Sequence, residues 1–298
     1  MKITFLGTSS MVPTKNRNTT SMLINHKSEN ILVDCGEGTQ RQLKIQKLSP
    51  AKITKILITH WHGDHILGLP GLIQTLSHSE YTKTLEVYGP KNTKKYLNNL
   101  LNSFQYQDTK VKIKVIEINS NKKFFENKDF SLHSQKTNHS TYGLAYSMQE
   151  KEKRRINLNY TKKFGLTKDK ILGKLQQGKT ITFKGKKITP EKGTILIPGK
   201  KLTIVLDTEL TKDLIKFSNN SDLLVSESTF SKELKKEAKK SKHMTSEDAA
   251  NLAKKSKSKK LILTHFSQRF TTTSEIQKEA KKIFSNVVCA KDFTSYEV

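Results

Sequence analysis

At 298 residues the chain is long enough to bury a sizeable core in one large domain or two small ones. Its 54 lysines and arginines against 27 acids give a formal charge of +27, which argues against a cationic partner and for a polyanionic one: nucleic acid first, anionic membrane second. The two cysteines, Cys35 and Cys289, exclude a disulfide scaffold and lack zinc-finger spacing, so both are expected as reduced thiols.

The N-terminal "MKITFLGTSS" reads as a short strand and is too short for a signal peptide's apolar region. No apolar run approaches membrane-span length, so a soluble, cytoplasmic protein is expected. Short runs of β-formers follow at 2–8, 20–26, 30–36 and 55–60, broken by Gly, Asn or Ser. Helical spacing appears at 72–79 and 91–104, separated by a strand-like 85–89, and more strands are predicted at 111–118, 130–139 and 142–149. The second half repeats the style. Strands at 201–208, 222–229, 260–265 and 286–293 are interleaved with helices at 210–220, 231–241, 246–256 and 273–284.

Strands bunched in each half, with helices between them, predict two packed sheets with helices outside. One stretch fits neither pattern. Residues 151–201 hold 16 Lys/Arg and three acids, so we expect a single domain, 1–298, carrying a basic arm at 150–182. A merely solvated insertion is the plain alternative. Compositional bias would also account for much of the charge, since 49 of the 54 cations are Lys.

The densest chemistry is "LITHWHGDHILGL". His60 and His62, two apart in an extended loop, can face one ion; Asp64 and His65, beyond a turn at Gly63, are aimed elsewhere. Four such groups side by side cannot all saturate one tetrahedral ion, so two ions sharing the loop are expected. Leaving them buried and unpaired would be costly. His139, Asp207 and His265 each end a β run in the same way. The expected partition is His60, His62 and His139 on one ion, Asp64, His65 and His265 on the other, and Asp207 between them. His26, His78 and His133 are read as structural, and the metal count leaves His243 unassigned. Nitrogen and carboxylate donors suit zinc, with manganese or iron(II) also compatible. Two adjacent ions favour hydrolysis of a phosphodiester.

"HWHGDH" resembles the signature of the metallo-β-lactamase superfamily, whose fold is an αββα sandwich. The rest of the chain resembles its ribonuclease Z family, in the short form: "FLGTSSMVPTKNRNTTSMLI", "ILVDCGEGTQRQL", "NHSTYGLAY", "LDTEL", "SESTF", "HMTSEDAA" and "LILTHFSQRF" match that family's motifs in order. The resemblance implies an endoribonuclease that removes the 3′ trailer of precursor tRNA, leaving a 3′-hydroxyl and a 5′-phosphate. It implies two divalent ions on the seven residues above, with zinc the expected metal, and a homodimer. Asp64 would help deprotonate the attacking water, and His243, paired with Glu227, would be the acid for the leaving oxygen. RNA contacts would come from Lys15, Arg17 and Asn18 of the Pro-x-Lys-x-Arg-Asn loop and from Arg154, Arg155, Lys162, Lys163, Lys170 and Lys174 of the arm. Two departures stand out. The arm lacks the usual Gly-Pro, leaving open an altered tip or a longer helix, and Leu206 replaces the glycine usual before Asp207, which should alter the turn and spare the ligand. A small-molecule phosphodiesterase or arylsulfatase of the superfamily leaves the arm without a purpose. A non-catalytic RNA-binding protein leaves the seven metal-binding groups without one.

Overall fold

The computed structural model describes residues 1–103 and 111–298; the last residue of the helix expected at 91–104 lies outside them. In chain order the strands are β1 (Lys2–Gly7), β2 (Ser21–His26), β3 (Glu29–Val33), β4 (Lys55–Leu57), β5 (Thr84–Pro90), β6 (Lys112–Ile118), β7 (Lys122–Glu126), β8 (Phe130–Lys136), β9 (Leu144–Glu150), β10 (Lys153–Ile156), β11 (Ile181–Phe183), β12 (Lys186–Ile188), β13 (Thr194–Ile197), β14 (Lys201–Val205), β15 (Leu223–Glu227), β16 (Leu261–Thr264), β17 (Val287–Cys289) and β18 (Ser295–Glu297). Among the described residues two seven-stranded sheets form, ordered β18-β1-β2-β3-β4-β5-β6 and β17-β16-β15-β14-β9-β8-β7.

The chain divides into two compact units. The first comprises 1–125, 132–148 and 201–298. Its central strands, such as β4, β15 and β16, are buried along their whole length because both faces are covered. On β3 and β4, Leu32 and Ile56 pack with Leu43, Leu72, Ile73 and Leu76 of the flanking helices. Their neighbours Ile31, Val33 and Leu57 are equally buried on the opposite face. In the second sheet Val205, Leu224, Leu261 and Leu263 pack against Leu214, Ala249, Leu252, Ala253 and Ile276. Contacts between the sheets close the interior. Tyr146 donates to the Ile58 carbonyl at 2.6 Å, and the Phe124 ring lies between those of Tyr88 and Tyr146. The layers are therefore helix, sheet, sheet, helix, as the sequence predicts.

The helix expected at 72–79 starts earlier, at Leu69–His78, while others are shorter than expected. The 210–220 stretch is helical only over Lys212–Phe217 and the 273–284 stretch over Ser274–Lys281. The expected C-terminal strand stops at Cys289, after which the chain turns and β18 pairs with β1. Both cysteines are free and buried, and burial pushes each thiol up to about 12. No helix among the described residues is long and apolar enough to cross a membrane.

The second unit comprises 126–131 and 149–200. It has its own small core, in which Leu166, Leu172, Leu175, Ile181 and Ile188 gather with Tyr160 and Phe164 beside them. β10 and β13 form one antiparallel ribbon, and β11 and β12 a hairpin. The hairpin's two turn residues, Lys184 and Gly185, both have positive φ (47° and 72°), the turn type that matches strand twist. The stretch read as helical around "TKDKILGKLQQG" forms only the five-residue helix Leu172–Gln176, so the missing Gly-Pro does not lengthen it.

Candidate metal centre

Almost every polar group of the centre sits just past the C-terminal end of a strand, where open α/β sheets place their ligands. Asp34 follows β3, His60 β4, His139 β8, Asp207 β14 and His265 β16, while Glu227 ends β15. A helical turn, Gly63–Ile66, carries Asp64 and His65 to the second group of the centre, with the His65 ring 4.2 Å from that of His60. Asp34, Asp207 and His265 adopt left-handed φ of 56°, 41° and 59°, a conformation costing roughly 1 kcal/mol or more outside glycine. Strain at three strand ends, drawn from both sheets and gathered at one centre, is a mark of a site held open for chemistry.

The seven predicted ligands converge. His60, His62, His139 and Asp207 place donor atoms within 4.8 Å of one another, and so do Asp64, His65 and His265. Asp207 lies between the groups, with Oδ2 3.5 Å from His60 Nε2 and 3.8 Å from His139 Nε2, and Oδ1 3.2 Å from His265 Nε2 and 3.5 Å from His65 Nε2. His62 Nδ1 is 3.3 Å from His139 Nε2, and His65 Nε2 is 3.2 Å from His265 Nε2. Asp64 Oδ2 is 3.3–3.4 Å from the same two nitrogens.

The outer hydrogen bonds turn these imidazoles inward. His65 donates from Nδ1 to Asp34 Oδ2 at 2.7 Å, and His139 from Nδ1 to the Lys242 carbonyl at 3.2 Å. Thr229 accepts from His265 Nδ1 at 2.9 Å while donating to Glu227 Oε2 at 2.6 Å. Thr59 accepts from His60 Nδ1 at 3.1 Å and donates to Asp34. Each ring thus keeps an Nε2 lone pair aimed at the centre. His243 stands beside them, its Nδ1 3.0 Å from Glu227 Oε2 and its Nε2 3.9 Å from Asp207 Oδ2.

Does this set suit a divalent cation? His60 Nε2 and Asp207 Oδ1 are buried without a hydrogen-bond partner. Orphans this close to one another are expensive unless a cation joins them. Burial first, then mutual repulsion, pulls the His60 imidazole well below its ordinary value, and burial lowers His62 and His139 as well. These rings are therefore neutral donors. Burial alone would raise Asp207, but the neighbouring imidazoles, His265 and His65 first, hold it well below the usual carboxylate range. Neutral imidazoles at His60, His62 and His139 beside the ionised Asp207 form the donor set of a divalent metal site.

Residues 1–177 match a family model described as the Anti-Pycsar protein Apyc1. Over the full length, ribonuclease Z of Prochlorococcus marinus subsp. pastoris is 39% identical, covering all of both chains. Ribonuclease Z of Methanosarcina acetivorans is 35% identical, covering all of this chain and 98% of that one. The chain belongs to the ribonuclease Z family. In structure it is similar to human tRNase Z, short form (TM-score 0.73, 25% identity, 100% of this chain and 99% of that chain). A metallo-β-lactamase fold protein of Bacillus subtilis shares the fold at TM-score 0.72 and 22% identity, covering 100% and 98%.

Asp34, Thr59 and Thr229 orient these metal-binding groups, and the sequence does not single them out. The one available signal was that Asp34 ends an apolar run, as Asp207 does. The loop residues divide. Lys15 is exposed, while Arg17 is 9% exposed and donates to the carbonyls of Ser267 and Phe270, and Asn18 donates to the Glu37 carbonyl at 2.8 Å. In the second unit Arg155, Lys162, Lys163, Lys170 and Lys174 are exposed, whereas Arg154 is half-buried and donates to Thr194 Oγ1 at 3.2 Å.

Proposed function

We propose that this protein is the endoribonuclease that removes the 3′ trailer from precursor tRNA, leaving a 3′-hydroxyl on the tRNA and a 5′-phosphate on the trailer. The observation that carries the reading is the convergence of seven metal-binding groups with the Glu227–His243 pair beside them, in a chain whose full-length relatives are named ribonuclease Z.

His60, His62 and His139 would hold one divalent ion, Asp64, His65 and His265 a second, and Asp207 would serve both. Zinc is our assignment, with manganese the alternative the donors also suit. When bound, such ions supply an acidified water and positive charge for the oxygens of the phosphodiester. Asp64, its carboxylate at the rim of the centre, accepts the proton of the attacking water. His243 donates from Nε2 to the departing ribose 3′ oxygen, and Glu227 orients it through Nδ1. Burial opposes a charged His243, but Glu227 overrides it and pushes the imidazole up to about 9. The proton is therefore in place at neutral pH. Glu227 is itself fixed by the Thr208 amide and Thr229, both at 2.6 Å.

Lys15 and the exposed arm cations would hold tRNA phosphates, positioning the RNA without reading its sequence. A cytoplasmic homodimer completes the proposal. Incubation with a precursor tRNA, followed by mapping of both product ends, tests it. A 3′-hydroxyl at the discriminator is expected. Hydrolysis of small phosphodiesters with the precursor left intact would instead make this a small-molecule phosphodiesterase.

A further inference from the structure

Arg17 belongs to a basic loop, yet its side chain points inward. Its Nη2 donates to the Phe270 carbonyl at 2.7 Å and the Ser267 carbonyl at 3.2 Å, in the turn that follows His265. Buried guanidinium bonded to main-chain carbonyls is a clamp, not a phosphate receptor. The rest of the 8–18 loop is fixed to Phe266 of the same turn, to Asp292 and within itself. Ser10 donates to the Phe266 carbonyl and Phe266 to the Thr8 carbonyl, both at 2.9 Å. Asp292 accepts from Thr8 Oγ1 and from the Asn18 amide, both at 2.7 Å. The Ser9 amide donates to the Asn18 carbonyl at 2.9 Å, and Ser9 Oγ donates to the Val12 carbonyl at 2.7 Å.

The fastened loop delivers one group to the centre. Met11 takes a left-handed φ of 65° and its amide donates to Asp64 Oδ2 at 2.8 Å, while its side chain is 78% exposed. A methionine held in that conformation with its side chain in solvent is being used for its backbone. The same Asp64 oxygen faces His65 and His265.

We propose that Arg17 is a positioning residue: by clamping the 8–18 loop to the turn after His265, it keeps the Met11 amide on Asp64 and so fixes the direction of that carboxylate. The inference rests on the reading of Asp64 above, and it moves Arg17 from RNA contact to support of the centre. Partners that orient metal-binding groups are worth about 10–100-fold in activity or metal affinity.

The test compares Arg17→Ala and Arg17→Lys with the unaltered chain. In metal-free protein, amide hydrogen exchange at Met11 should rise by about tenfold in Arg17→Ala while Met22–Ile24 of β2 stay protected. This readout is independent of which substrate the enzyme uses. With a small chromogenic phosphodiester, kcat should fall about 10–100-fold with KM little changed, and Arg17→Lys should recover part of the loss. An amide-to-ester replacement at the Ser10–Met11 bond, which removes one N–H and leaves Arg17 alone, should reproduce the kcat loss. Unchanged Met11 exchange overturns the proposal. So does full diester turnover in the ester variant, or an Arg17→Ala effect confined to the KM for precursor tRNA, which would make Arg17 an RNA contact.

Discussion

The metal centre and the basic unit use polar side chains in opposite ways. In the centre the outer carboxylates each have several partners: Glu227 accepts from Thr208, Thr229 and His243, and Asp34 from His65 and both donors of Thr59. In the second unit Lys162, Lys163, Lys170 and Lys174 stand on the surface, over a core of five buried apolar side chains. The first arrangement makes every residue indispensable; the second makes each cation a small part of a sum. Effects of substitution should therefore be steep and all-or-none in one region, shallow and additive in the other.

The steepest test is Asp207→Ala. It removes the carboxylate common to both groups of ligands and leaves His60, His65, His139 and His265 facing one another. Turnover of both precursor tRNA and a small phosphodiester should drop by roughly 10⁴ or more, the scale seen when one member of a catalytic unit is removed. Metal content measured by atomic emission should fall in parallel. Retained metal with lost activity would show that Asp207 serves the chemistry without holding the ions.

Excising the basic unit should separate the two substrates. The Glu150 amide donates to the Lys200 carbonyl at 2.9 Å, so a short glycine-containing turn can replace 151–199 without stretching the chain. Precursor cleavage should be lost and small-diester hydrolysis kept. Equal survival of both activities would break the contrast drawn here, because the unit would then have no part in holding RNA.

Asp34→Asn probes the outer layer of the centre. The side chain keeps its shape but loses the charge that receives His65 Nδ1, so a loss of about 10–100-fold in activity or metal affinity is expected. A change below about twofold would show that Thr59 alone can orient the ring.

How much of this was readable in advance follows the same division. The seven metal-binding groups were legible because His and Asp at the ends of apolar runs are chemically conspicuous, and the strand ends of both sheets bring them together at one centre. Asp34, Thr59 and Thr229 were not, since their roles depend on which strands are neighbours: the pairing of Val33 with Leu57 brings Asp34 against Thr59. Arg17 was legible as a cation but not in its direction, which is fixed by carbonyls about 250 residues away in the chain. The basic unit showed its charge and hid its core. Helices of four or five residues, such as Leu158–Thr161 and Leu172–Gln176, are too short to carry a period, and Leu166 and Ile181 sit singly among polar neighbours. β18 is likewise three residues long and has only Tyr296 to announce it.

The smallest effects should come from single arm cations. Lys162→Ala, Lys163→Ala and Lys170→Ala each remove one exposed charge, so each should weaken precursor binding a few-fold at most and lower the slope of log affinity against log salt by about 1 if it meets a phosphate. The losses should add when the three are combined, because the side chains share no buried partner. Arg154→Ala is the internal comparison. Its guanidinium bonds Thr194 Oγ1 across the β10–β13 ribbon, so part of its effect should appear as altered amide protection along β13, not as a change in salt slope. If Arg154→Ala changed the slope as much as the lysines do and left β13 untouched, the division between residues that build and residues that hold RNA would have to be redrawn within the unit itself.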